Sequence, residues 1–227
     1  MIKNLIFLIK IIRIFKKYDI LKLIINSVKF KVLFIIFTEL ISFGVIKQKK
    51  LSSSSDGTRI AKALNELGPS FIKLGQLIST RPDIIGNEIA EDMSLLRDNL
   101  PPFPKSEAIA IIQKEFGKDI DEIFENFSEP IAAASIAQVH FANIYINEKI
   151  TPVAVKVLRP NIIEIINSEM ERLNWLSSFM ELFEDFRRLK PNSIIKKAKD
   201  VIKFELDFRY EAAAASELSE NTKADLS

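Results

Sequence analysis

Two lysines interrupt apolar runs in ways that invite chemistry. Lys156 stands inside VAVKV, Val153–Val157, and Lys73 inside LGPSFIKLGQLISTRPD, Leu67–Asp83. A lysine held on a strand between small and branched residues can bring its ammonium to the phosphates of a nucleotide, provided a glutamate on a following helix fixes its position. The plain alternative is one exposed lysine on an ordinary strand. Lys73 and Gln76 are three apart and share a helix face, and Gly75 between them lets another element come close. A buried lysine needs a carboxylate, and the late stretch FELDFRYEAA supplies Glu205 and Asp207 as candidates.

One strand before Lys156 stands PIAAASIAQVH, Pro130–His140. Ala132, Ala133 and Ala134 can present backbone amides to an anion, although their methyl groups narrow the geometry that glycine leaves open. All six glycines lie at or before Gly117. A run of alanines is otherwise a tight packing spot. On the late helix, read as continuous, Asp207 and Glu211 are four apart and share a face, whereas Glu205 lies about 160° from Asp207. Glu205 and Glu211 can therefore serve different partners, or form a solvated acidic face beside Lys203 and Arg209.

The elements that must position these residues follow from periodicity and breakers. Residues 1–50 carry eleven Lys/Arg and two acids, a charge of +9, which leaves −7 for the rest of a chain whose net charge is +2. The spacing predicts a basic amphipathic helical segment there, with Lys3, Lys10, Arg13 and Lys17 on one side. Such a helix suits an anionic membrane surface and equally suits packing against a domain. Its longest uncharged stretches, Val32–Thr38 and Leu40–Ile46, are too short to cross a bilayer. Recurring lysines and the lack of a cleavage pattern argue against a signal peptide.

A polar linker is expected over 51–57 and a helical region over 58–125, with breaks at Gly68-Pro69, Arg81-Pro82 and LPPFP, Leu100–Pro104. Ser106, Glu107 and Gly117 frame one short helix. In 126–158, FANIYI and PVAVKVL read as strands joined by a hairpin at NEKI, and helical periodicity returns through Asn161–Phe186 and Ser193–Leu218. The expected fold class is α+β: a mostly helical N-terminal part feeding a short antiparallel sheet with further helices.

Composition removes several chemistries. There is no cysteine and only one histidine, His140, so disulfides, thiolate sites and histidine zinc clusters are excluded. No metal-ligating residue is assigned, and with no aromatic-interleaved basic surface or known motif, nucleic acid is not an expected partner.

Taken together, the ordered segments resemble the UbiB family of atypical kinase-like proteins, linked to ubiquinone biosynthesis. The resemblance spans roughly Ser55–Asn221 and rests on K-x-G-Q at Lys73, Gly75 and Gln76, STRPD at Ser79–Asp83, LPPFP, EPIAAASIAQVH, VAVKVLRP and ELDFRYEAA. It implies a truncated kinase-like small lobe over 126–227. Ala132, Ala133, Ala134 and Ser135 would form an alanine-rich loop in place of a glycine-rich phosphate cover. Lys156 would be the nucleotide-phosphate lysine and Glu211 its ion-pair partner, while Glu205 and Asp207 would form an E-x-D motif meeting Lys73 and Gln76.

The resemblance also implies ATP and Mg²⁺ as cofactors, and a membrane surface with ubiquinone-biosynthesis proteins or a lipid-quinone precursor as partners. The implied location is cytoplasmic, peripheral to the inner membrane. The family's catalytic-loop residues and D-F-G motif are not in this sequence, so no catalytic residue is assigned and catalysis by the chain alone is expected to be negligible. The alternatives are a non-catalytic membrane-peripheral binding module and a non-functional gene remnant.

Overall fold

A computed structural model describes residues 2–25, 31–42, 44, 54–94 and 100–223. The first residues of the expected linker, 51–53, lie outside them. The base-rich N terminus forms α1 (Ile2–Lys17), α2 (Leu21–Ile25) and α3 (Lys31–Ile41). On α1, Phe7, Ile11 and Ile14 recur at helical spacing and are buried, with Tyr18 just beyond. Each such side chain contributes about 2 kcal/mol. The Lys16–Glu39 and Lys17–Glu66 pairs, both 2.6 Å, contribute at most about 1 kcal/mol each. Apolar burial therefore holds α1 in place. Of its expected basic side, Lys3 and Arg13 are exposed, whereas Lys10 donates to the Leu67 carbonyl at 3.0 Å. Among the described residues no helix is long and apolar enough to cross a membrane.

Next come α4 (Asp56–Leu67), α5 (Pro69–Ser79), α6 (Pro82–Ile85) and α7 (Asn87–Ser94). Helix α4 begins two residues before the expected Thr58, because the Ser55 side chain accepts from the Thr58 N–H at 3.3 Å and caps it. The last two residues of the expected linker are thus helical. At Gly57 α4 packs tightly on α7: a Cβ there would collide with Asp92 Cβ and sit 3.0 Å from the Ile89 carbonyl oxygen.

Helix α8 (Lys105–Phe116) follows LPPFP and ends at Gly117, whose φ of 65° gives the left-handed cap that glycine tolerates. It starts at Lys105 with Pro104 as N-cap, so Ser106 lies inside the helix and does not open it. After the single turn α9 (Ile120–Ile123), strands β1 (Pro130–Ala133), β2 (Ala137–Ile146) and β3 (Lys149–Leu158) form an antiparallel sheet in the order β1-β2-β3. Asn147 and Glu148, both at positive φ, make the two-residue hairpin turn. Pro152 is tolerated because β3 is an edge strand. Val155 and Val157 pack with Phe103, Ala108 and Ile112, so Ala154 and Lys156 face the other way.

The rest is helical: α10 (Ile162–Met180), α11 (Glu184–Arg187), α12 (Pro191–Leu206) and α13 (Phe208–Asn221). Leu67, Ile72, Met170 and Ile202 are central to one core shared by α4, α5, α10 and α12, which Ile136 and Ala137 join from the start of β2. The architecture is α+β, mostly helical with one small antiparallel sheet.

Candidate functional site

Lys156 projects from β3 toward the start of α13. Its ammonium lies 2.6 Å from the Glu211 carboxylate and 4.6 Å from the centroid of the Phe208 ring. Both contacts come from the first turn of α13, a helix that buries no residue of its own. The helical run expected through Leu218 breaks at Asp207, which adopts an extended conformation and accepts from the Arg209 N–H at 3.1 Å. The inferred common face of Asp207 and Glu211 is accordingly corrected: they sit on either side of a helix start, Asp207 as cap and Glu211 within the first turn.

The Lys73 ammonium on α5 lies 2.7 Å from the Glu205 carboxylate in the last turn of α12. The Lys73 side chain is only 10% exposed, against 38% for Glu205, so the pair sits at the edge of the core. Gly75 is buried and Gln76 half-buried on the same helix. Asp207 is directed elsewhere than the expected clasp: its two carboxylate oxygens accept from the Arg209 guanidinium at 2.8 and 2.6 Å. That hydrogen bonding holds the Asp207 carboxyl below the usual carboxylate range and the Arg209 guanidinium above its own.

The alanine stretch is more strand than loop. Ala132 and Ala133 pair with Val139 and Gln138 on β2, and Val139 in turn pairs with Lys156. The Ala134 N–H donates to the Ala137 carbonyl at 2.8 Å, and the Ala134 carbonyl accepts from Arg159 Nε at 2.9 Å. The amide of Ala134 is therefore spent on the turn, which corrects the expectation that all three alanines offer amides to an anion. Ser135 is fully buried and its hydroxyl has no hydrogen-bond partner among the described residues. Alongside β3, between α8 and the α12–α13 junction, runs a cleft of 910 Å³ lined by Phe116, Val155, Lys156, Leu206 and Phe208 among others. No cluster of three or more His, Asp or Glu able to hold a metal occurs among the described residues.

The profile of the ABC1 atypical kinase-like domain matches residues 95–227. The chain belongs to the ABC1 atypical kinase-like family. No solved structure matches it. The ABC1 match takes in Ala132–Ser135, Lys156, Glu205, Asp207 and Glu211, while Lys73, Gly75 and Gln76 precede it.

A further group in the ABC1 region was not picked out from the sequence. Gln138 reaches the LPPFP segment with both ends of its amide: Oε1 accepts from the Phe103 N–H at 2.9 Å and Nε2 donates to the Phe103 carbonyl at 3.2 Å. The same Nε2 lies 2.9 Å from His140 Nε2, and His140 Nδ1 lies 2.9 Å from the Ser128 carbonyl. A carbonyl can only accept, so Nδ1 carries the proton and Nε2 accepts from Gln138. Phe127 stacks on the imidazole at 4.4 Å. Arg159 completes the tie by donating to the carbonyls of Leu100 and Pro101 at 3.3 and 2.9 Å. The available indication was two polar residues, Gln138 and His140, at strand spacing among apolar neighbours.

Proposed function

We propose that this ABC1-family chain binds the phosphates of ATP, with Mg²⁺ accompanying the nucleotide, and supports ubiquinone biosynthesis at a membrane surface. The observation that carries the nucleotide part is the Lys156–Glu211 pair at 2.6 Å, on the same sheet as the alanine strand and separated from it by β2. Glu211 fixes the direction of the Lys156 side chain, and the Phe208 ring supports its ammonium from a second side. Positioning and charge neutralisation are what such a lysine does for a phosphate. Because the Ala134 amide is committed to the turn, the cation and not the loop backbone provides most of the attraction.

The Lys73–Glu205 pair belongs to this reading as a brace. It ties α5 to the end of α12, two residues before the cap of α13, and so sets where Glu211 stands. The membrane part rests on the exposed Lys3 and Arg13 of α1 beside exposed Ile2, Leu5 and Ile6. On this reading the protein is cytoplasmic and peripheral to the inner membrane, with ubiquinone-biosynthesis proteins or a lipid-quinone precursor as partners.

The test is thermal unfolding with millimolar ATP and Mg²⁺. Ligand at ten times its Kd stabilises by about 1.4 kcal/mol, a rise in Tm that Lys156→Ala must remove. An unshifted melting curve for the native protein, or an equal shift in the variant, overturns the nucleotide reading in favour of a non-catalytic protein- or lipid-binding module.

A further inference from the structure

Trp175, Phe179 and Phe183 form an aromatic ladder at the end of α10. The Trp175 and Phe179 rings stack at 6.1 Å, and Phe179 meets Phe183 edge-on at 5.4 Å. All three are exposed, as are Leu182, at 70%, and Leu189. The core takes the other face of α10, through Ile166, Met170, Leu173 and Ser177. Among the described residues the ladder is therefore left uncovered, and contiguous apolar surface of this kind marks an interaction site.

The charge that follows is strongly one-signed. From Arg187 to Lys203 there are seven cations, Arg187, Arg188 and Lys190 in the connection and Lys196, Lys197, Lys199 and Lys203 along α12, the last of them at the cleft beside Lys156, and one carboxylate, Asp200. Among the described residues none of the seven has an ion-pair partner. Arg187 Nε donates to the Glu181 carbonyl at 3.2 Å, which holds that guanidinium against the end of α10 where the ladder stands. With Glu181, Glu184 and Asp185 included the segment is still net +3. The Glu181 carboxylate is turned to Asn192, accepting from its backbone N–H and its side-chain amide at 3.1 and 2.7 Å.

We infer that the α10–α12 connection is a docking surface for an anionic lipid bilayer. Exposed leucine and phenylalanine beside unpaired arginine and lysine match the two layers of such a surface. The rings and Leu182 enter the boundary between headgroups and acyl chains, and the cations meet the lipid phosphates, each contributing about 1 kcal/mol. A nucleic acid or an acidic protein would use the cations and leave Leu182 and Leu189 in water. The inference rests on the membrane-surface reading above and assigns it a second contact, on a different element from α1.

Trp175 is the single tryptophan of the chain, so its emission reports directly on the ladder. Flotation with phosphatidylcholine vesicles containing phosphatidylglycerol is expected to carry the protein and shift Trp175 emission to the blue, with neither effect on pure phosphatidylcholine. L182D/R188E, two exposed changes, should weaken binding at least tenfold and abolish the emission shift while Tm is unchanged. K3E/R13E on α1 should keep the shift. If the protein floats but Trp175 emission does not move, if L182D/R188E binds as the native protein does, or if K3E/R13E loses the shift, this surface is not the contact although the membrane reading stands. Absence of flotation overturns both. An equal blue shift with duplex DNA or a polyglutamate peptide also overturns the assignment to lipid.

Discussion

The Lys73 ammonium meets the Glu205 carboxylate at 2.7 Å, joining α5 to the final turn of α12. One partner is nearly buried and the other half-exposed, so the pair is intermediate between a surface bridge and an interior one. Reversing either charge alone sets like charges face to face across this contact. Lys73→Glu and Glu205→Lys should each cost on the order of 2 kcal/mol, and the double exchange should recover most of that loss. Urea midpoints of the four proteins check it. Additive losses in the double variant would show that the two side chains are not coupled.

Gln138 satisfies three buried groups at once: the Phe103 N–H, the Phe103 carbonyl and His140 Nε2. Gln138→Leu keeps the volume and strands all three, at about 1–3 kcal/mol each. The expected loss in urea unfolding is at least about 3 kcal/mol, well above that of a surface change. A loss under about 1 kcal/mol would mean that LPPFP is anchored by Arg159 alone.

The Tyr18 hydroxyl donates to Glu66 at 2.7 Å, and Lys17 holds the same carboxylate at 2.6 Å. Burial first, then the hydrogen bond to Glu66, pushes the Tyr18 pKa from 10.0 up to about 12. A raised folded-state pKa means that the stabilisation is complete below pH 10.0 and is lost as pH rises toward about 12. Burial pushes the Glu66 carboxyl up, but the hydrogen bonds from Lys17 and Tyr18 outweigh it and leave the pKa lowered from 4.5. That contribution is present above pH 4.5 and fades as pH falls through the lowered value. Melting curves across pH should show both losses, and Tyr18→Phe should remove the alkaline one and weaken the acid one, because the Tyr18 hydroxyl is one of the donors that lower the Glu66 carboxyl.

Alanine in a helix interior normally gains about 0.5–1 kcal/mol over glycine. At Gly57 the sign should reverse. The added methyl would overlap Asp92 Cβ and press on the Ile89 carbonyl, and overpacking costs about 1–3 kcal/mol. Gly57→Ala is therefore expected to lower Tm, and a rise would show that α7 yields freely.

Much of this arrangement was legible because period and punctuation agreed. Alternation with Val, Ile and Tyr marks β2 and β3, and Gly117 marks the end of α8 in the only backbone region where glycine has a clear advantage. What escaped notice was local competition. FELDFRYEAA contains neither Gly nor Pro, so nothing interrupts its helical period, yet Asp207 turns its side chain back on the Arg209 N–H and starts a new helix. The spacing left Glu205 and Asp207 equivalent as partners for Lys73; the break separates them. The committed amide of Ala134 was equally hidden, since alanine has the same side chain whether its N–H is free or bonded.

Arg159 gathers carbonyls from Leu100 and Pro101, 59 and 58 residues earlier in the chain. A ribosome adding 5–20 residues per second completes that interval in roughly 3 to 12 seconds. Between the emergence of LPPFP from the exit tunnel and that of Arg159, this segment, joined later by the Ile112 face of α8, has no sheet to settle on, because Val157, like Arg159, arrives last. The nascent chain thus carries a timed window of apolar exposure whose length is set by translation speed, and slow codons before Arg159 would widen it.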